Sequence, residues 1–319
     1  MNYPPVVKIP VVLALLFAGG WLAPAQTNDV DLGDMLDAAQ QFAQENLDPD
    51  VLQALQQVDR TKVEDFLNHF QDYLKGDRVL DVAQLQDAAN TILPLLDAHA
   101  ETQPYAAWLR SRLDYFDAAA ELKSLAPAPI PEPGQTALPL PNPSFKSEQE
   151  IWIKKVTPRP WPKGADQFVP QLKTIFAAEG VPSALVWLAE VESGFDAGAR
   201  SPAGALGMFQ LMPATARQYG LSLWPRDQRR QTEPAAHAAA QDLRQLHDQF
   251  GDWRLAVAAY NSGAGTVQRL LKRYQTTSYA DIAPHLPAET QMYVPKVEAT
   301  ILHREGLELE NLKVPATGS

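Results

Sequence analysis

Apolar residues recur at intervals of three and four along most of this chain, and no alternating pattern of useful length appears. In "VLQALQQVDRTKVEDFLNHFQDYL", residues 51–74, that spacing lines apolar side chains along one helix face. The same texture runs from Asp29 to about Leu125 and predicts a small helical domain. It stops at "APAPIPEPGQTALPLPNPS", residues 126–144, where proline recurs too often for helix or sheet, so the stretch reads as a semi-rigid linker between two units. Beyond it the helical period returns with clear punctuation. "QFVPQLKTIFAAEG" ends at Gly180, "VPSALVWLAEVES" carries Pro182 in its first turn, and "AAHAAAQDLRQLHDQFG" stops at Gly251. "DWRLAVAAYNSG" and "GTVQRLLKRY" follow as shorter helices, and Pro287 and Pro295 punctuate a final pair. The expected fold is all-α, with room for one short hairpin near Ser201 to Gly207.

Composition refines this picture. The 319 residues are 45% hydrophobic, enough for a substantial core, and carry a net charge of -11. Residues 27–125 hold 19 Asp and Glu against seven Lys and Arg, so the excess lies in the first helical unit, where a solvated acidic face is the expected reading. Such a balance excludes nucleic acid as a partner, because phosphate binding needs clustered cations. Residues 1–25 have Lys8, an apolar run from Val11 to Ala18 and an A-x-A site at Ala23-Pro24-Ala25, the layout of a cleaved signal peptide. With no cysteine there is no lipidation site and no disulfide, so the expected protein is soluble and periplasmic, not a lipoprotein. No metal site is expected: the histidines are scattered, and His237 and His247, ten apart, do not share a helix face.

The chemistry concentrates in "LAEVESGFDAGARSPAGALGMFQLMP", residues 188–213, where Glu190 and Glu192 sit in an otherwise apolar helix. An ionised carboxylate in apolar surroundings must be paired, hydrogen-bonded or neutralised. On a helix the two point to nearly opposite sides, so they cannot share a proton. Glu192 stands at the helix end, where Gly194 lets a loop open a cleft, and a buried acid there can hold a proton to donate. Glu190 has no such exit and is expected to be structural. Asp196, beyond the helix end, reads as a cap of loop N–H groups. "SPAGALGMFQLMPATA" sets glycines and prolines around Met208, Phe209 and Gln210, "AAYNSGAG" places Tyr260 and Asn261 at a helix end before two glycines, and "ETQMYVPKVEA" brings Tyr293.

"VESGF", "SPAGALGMFQLMPATA", "LAVAAYNSGAG" and "ETQMYVPKV", in this order, resemble the catalytic domain of the family 1 lytic transglycosylases, the soluble and membrane-bound D type enzymes. The resemblance covers about Ser147 to Glu305. It implies a lysozyme-like catalytic domain over 145–319 and leaves the first 145 residues, with the helical domain 27–125 and the linker 126–144 read from the residue pattern, unexplained. It implies Glu192 as single catalytic acid and base, with Ser193 assisting, Met208, Phe209 and Gln210 lining a sugar cleft, Tyr260 and Asn261 forming the opposite wall, and Tyr293 closing the site. The motif commonly written Gly-Leu-Met-Gln reads here Gly207-Met208-Phe209-Gln210, which leaves open which apolar side chain meets the sugar. The implied substrate is peptidoglycan glycan strands, cleaved without any cofactor to 1,6-anhydromuramic ends. A lysozyme-type muramidase and a non-catalytic glycan-binding scaffold are the alternatives. A cell-envelope protein partner for the first helical domain is a further expectation.

Overall fold

The computed structural model describes residues 67–68, 71–97, 102–126 and 140–315. The expected signal peptide, the first part of the acidic unit and most of the proline-rich stretch lie outside the described residues. Among those described, every regular element is helical, in keeping with the all-α expectation. A 3₁₀ segment Val79–Leu85 leads into α1 (Gln86–Asp97), α2 (Gln103–Arg110) and α3 (Leu113–Leu125). After the proline-rich stretch come α4 (Phe145–Val156), α5 (Ala165–Ala178), a 3₁₀ turn Ser183–Trp187 and the six-residue α6 (Leu188–Ser193). Then follow α7 (Pro213–Gln218), α8 (Thr232–Phe250), α9 (Trp253–Ser262), α10 (Ala264–Tyr274), α11 (Tyr279–Ile282) and α12 (Ala288–Glu305).

Local chemistry accounts for many of the boundaries. Asp252 accepts from the Leu255 N–H at 2.9 Å and caps α9, and Ser144 accepts from Ser147 N–H to cap α4, each worth about 1 kcal/mol. Gly251 and Gly306 end α8 and α12 in the left-handed conformation. Two elements differ from the sequence expectation. The run 181–193 is one helical pattern in sequence but divides into a 3₁₀ turn and a short α-helix, Leu185 N–H closing on Pro182 O at 2.9 Å. Pro295 does not separate two helices, as expected, but lies inside α12. That helix is buried along nearly its whole length, from Ala288 to Ile301, and this packing outweighs the one backbone hydrogen bond a proline removes. The hairpin region contains isolated antiparallel bridges, Arg200 to Leu206 and Leu206 to Leu211, rather than strands.

α12 is the axis of the assembly, with α4, α9 and α6 packed against it. The residues before the proline-rich stretch join the same hydrophobic core as those after it. Tyr115 of α3 meets Trp152 of α4 edge to face at 5.4 Å between ring centres. The Ala288 N–H at the start of α12 donates to Gly76 O, and Asn142 accepts from Val79 N–H at 3.1 Å while donating to Pro284 O at 3.1 Å.

One buried group works against this core. Glu148 on α4 is 2% exposed and its Oε1 has no hydrogen-bond partner; burial pushes its carboxyl well above the usual range. Below about pH 4 the group is largely protonated in folded and unfolded chains alike and carries no ionisation penalty. As pH rises the unfolded chain ionises first, so stability falls. Glu148→Gln is therefore expected to raise the melting temperature at about pH 8 and leave it unchanged near pH 4. Equal melting at both values would show that the carboxyl finds a partner.

Candidate active site

Glu192 occupies the last turn of α6 and is 4% exposed. Gly194 and Phe195 both adopt left-handed backbone, with φ of 66° at each, and turn the chain sharply away, their N–H groups closing on Glu190 O and Ala189 O. A non-glycine residue held there costs on the order of 1 kcal/mol, strain that recurs where a chain must expose one side chain. Ser193 clamps the corner: its hydroxyl donates to Met208 O at 2.9 Å and accepts from Asp196 N–H at 3.1 Å. Asp196 is exposed and caps Gly198 N–H at 2.6 Å, as read from the sequence.

The loop 199–212 returns beneath this corner. Gly207, at φ 84°, donates its N–H to Ala199 O, and its Cα lies so close to the backbone of Arg229 that an added Cβ would stand 1.9 Å from the Arg229 carbonyl oxygen. Arg229, held by Asp227, sends Nη1 to Gly204 O at 2.8 Å and Leu211 O at 2.9 Å, stapling both sides of the loop. Gln210 is also left-handed, at φ 48°; its Nε2 donates to Gly207 O and Ala199 O, and its Oε1 is buried without a partner. Met208 and Phe209 are 1% and 0% exposed, with Phe209 packed on Phe176. Both side chains are packed in the core, on the loop that also carries Gln210. Met212, missed in sequence, is 42% exposed and is the one solvent-facing apolar side chain of the run 208–212.

α9 and α12 supply the rest. Tyr260 donates to Phe209 O at 2.7 Å, and Thr290 donates to Asn261 Oδ1 at 2.6 Å, fixing the orientation of that amide. Tyr293 donates to Glu192 Oε1 at 2.6 Å. On the far side Arg112, at the start of α3, donates from Nη1 to Glu192 O at 3.0 Å, and its Nη2 lies 3.7 Å from Glu192 Oε2. The same guanidinium binds Glu289 Oε1 from Nε and Nη2, both at 3.2 Å. The structure thus brings Glu192, Tyr293 and Tyr260 into one electrostatic neighbourhood and adds Arg112, Glu289 and Thr290. Nothing local in the sequence marks Arg112, which is 80 residues from the carbonyl it binds and 177 from Glu289.

Burial raises the Glu192 carboxyl above its ordinary range, opposed by the Arg112 charge and the Tyr293 hydrogen bond and reinforced by Glu289. Burial and then the nearby Glu192 push the phenols of Tyr293 and Tyr260 well above theirs, so both remain donors. Burial would weaken the Arg112 hold on its proton, but Glu289 and Glu192 more than offset it. Glu190 differs: both its oxygens accept from Arg304, at 2.8 and 3.0 Å, a structural pair as expected. His237 lies 2.6 Å from Glu179, His247 stacks on Trp253, and no group of three or more potential metal ligands occurs among the described residues.

Tyr293→Phe tests this hydrogen bond. Because the hydroxyl favours the carboxylate, the variant is expected to move the Glu192 titration upward, as read by carbon NMR of labelled glutamate carboxyls. An unmoved midpoint would mean that the hydroxyl only satisfies a buried oxygen.

The site is a single buried acid at a helix end, with two tyrosines and a stapled loop around it. Residues 175–282, which include Glu192, the loop and α9, match the family described as Transglycosylase SLT domain. Membrane-bound lytic murein transglycosylase D of Escherichia coli (strain K12) is 42% identical over 125 residues, 37% of this chain and 27% of that protein. A putative tributyltin chloride resistance protein of Alteromonas sp. (strain M-1) is 30% identical over 148 residues, 45% of this chain and 70% of the relative. Among solved structures, an inactive mutant of the lytic transglycosylase Slt from Pseudomonas aeruginosa has 21% identity and a TM-score of 0.39, covering 84% of this chain and 45% of that one. The chain belongs to the transglycosylase SLT domain family. It spans about a quarter of the length of the Escherichia coli relative.

Proposed function

We propose that this chain is a peptidoglycan lytic transglycosylase, cleaving the β-1,4 bond between N-acetylmuramic acid and N-acetylglucosamine with Glu192 as its one acid and base. The observation that carries this reading is the buried Glu192 carboxyl, raised by burial and hydrogen-bonded to Tyr293. Tyr293 engages Oε1, which leaves Oε2 to carry the transferable proton. Protonated Glu192 gives it to the leaving glycosidic oxygen, the substrate's N-acetyl group assists at the oxocarbenium-like centre, and the resulting carboxylate takes the proton of the C6 hydroxyl as that oxygen attacks C1. The product is a 1,6-anhydro sugar and no water is consumed. Ordinary glycosidases use a second carboxylate as nucleophile or base. Here the neighbouring carboxylates are otherwise engaged: Glu190 by Arg304, Asp196 by Gly198 N–H, and Glu289 by Arg112.

Gln210, with its buried unpartnered Oε1, and Asn261, oriented by Thr290, offer polar contacts to the sugar. Met212 offers the apolar one, while Met208 and Phe209 act through the backbone carbonyls that Ser193 and Tyr260 bind. The reading places the protein in the periplasm, exported by its N-terminal segment; no helix among the described residues is long and apolar enough to cross a membrane. The acidic stretch 27–125 remains the candidate surface for an envelope partner. Mass spectrometry of muropeptides released from peptidoglycan tests the activity. Anhydro-muropeptides are the expected product, products heavier by one water would mean a muramidase, and no release would mean a glycan-binding scaffold.

A further inference from the structure

We propose that Arg112, contributed by a helix that precedes the proline-rich stretch and lies outside residues 175–282, is a positioning residue for Glu192, and that the division of its charge between Glu192 and Glu289 sets the pH range in which Glu192 works. The inference rests on the reading of Glu192 as the acid.

The guanidinium is fixed on every side. Its Cζ lies over the Trp108 ring, 5.5 Å from the centroid, Nη1 donates to Ser111 Oγ at 2.7 Å and to the Glu192 backbone carbonyl, and Nε and Nη2 converge on Glu289. Its side chain is 6% exposed, so water does little to screen it. The bond to Glu192 O holds the last turn of α6, where the acid sits. The 3.7 Å approach to Oε2 is an ion-pair distance without a direct hydrogen bond. That oxygen therefore keeps a counter-charge nearby without surrendering its lone pairs.

A group that serves as acid and then as base must be stable in both states. Burial alone favours the neutral acid. Arg112 favours the carboxylate, and Glu289 opposes that twice, by drawing the guanidinium to itself and by repelling Glu192 directly. The other ionisable groups around Glu192 are Tyr293 and Lys296 of α12, Tyr260 of α9 and Tyr115 of α3. Both tyrosines nearest the acid are neutral donors. Lys296, pushed down to about 8 by burial, is turned toward Asp114 and Ser111 O, with Arg159 beyond Asp114. Among the described residues Arg112 is thus the cation closest to the acid, and Glu289 is its adjustable competitor.

Two substitutions in the full chain should act in opposite directions. Cleavage needs protonated Glu192, so turnover falls as pH rises through its pKa. Arg112→Gln removes the positive charge and is expected to move that fall upward by about one pH unit; Glu289→Gln gives Arg112 wholly to Glu192 and should move it downward. Arg112→Lys keeps the charge and should keep the wild-type midpoint even where the rate drops. The same midpoints are read without turnover by carbon NMR titration of labelled glutamate carboxyls, with Glu192→Gln identifying the resonance. Opposite shifts support the proposal; unmoved midpoints, or shifts of one sign, overturn it. Where Arg112→Gln fails to fold, Glu289→Gln and Arg112→Lys decide the matter. A wild type that releases no muropeptides, with NMR shifts as expected, would sink the enzymatic reading and leave the electrostatic one standing.

Discussion

Under the proposed mechanism, Glu192→Gln is expected to abolish release of anhydro-muropeptides, lowering turnover by about 10³-fold or more, because that mechanism uses one group as both acid and base. The substitution changes little else. Glutamine has nearly the same shape, its Oε1 accepts from Tyr293, and its backbone carbonyl keeps the Arg112 bond. Arg112 is not left alone with its charge, since Glu289 remains beside it. The melting temperature should therefore hold or rise, and the pair of measurements separates lost chemistry from lost structure. Turnover within tenfold of wild type would remove Glu192 from the mechanism.

The largest effect on stability is expected from Gly207→Ala. The added methyl group would stand 1.9 Å from the Arg229 carbonyl oxygen and 2.9 Å from its carbon, and both are backbone atoms that cannot rotate aside. The φ of 84° adds left-handed strain. A loss on the order of 3 kcal/mol or more follows, lowering the melting temperature by roughly 5 °C. The loop would have to leave Arg229, undoing its bonds to Gly204 and Leu211 and displacing Gln210. Gly204→Ala is the control: its φ is 87°, but nothing lies within 4 Å of the added carbon, so only about 1 kcal/mol of backbone strain is expected. Calorimetry on both variants separates crowding from strain, and equal losses would refute the role given to close packing at Gly207.

The sequence made some parts of this structure legible and hid others for physical reasons. Helices α8 and α9 could be read because their signals are local: period, an aspartate cap and terminal glycines. The unbroken α12 could not, because proline is a local breaker and the packing that overrides it comes from distant elements. Glu192 stood out as a polar residue in an apolar run, and Tyr293 came with the motif that carries it. The inward turn of Met208 and Phe209 depends on left-handed backbone at Gln210 and on Arg229, neither of which hydrophobicity reports. Arg112 was hidden most completely, as one of seven cations in a stretch dominated by acids.

The bonds that surround the acid join residues 80, 101 and 177 positions apart in the chain. Contacts of that range close late in folding, since long loops must be ordered before they form. A chain caught before α3 and α12 have docked would have Glu192 at the end of a short, isolated helix, hydrated and with an ordinary carboxylate affinity for protons. Competence to transfer a proton would then be acquired in the same step that completes the core.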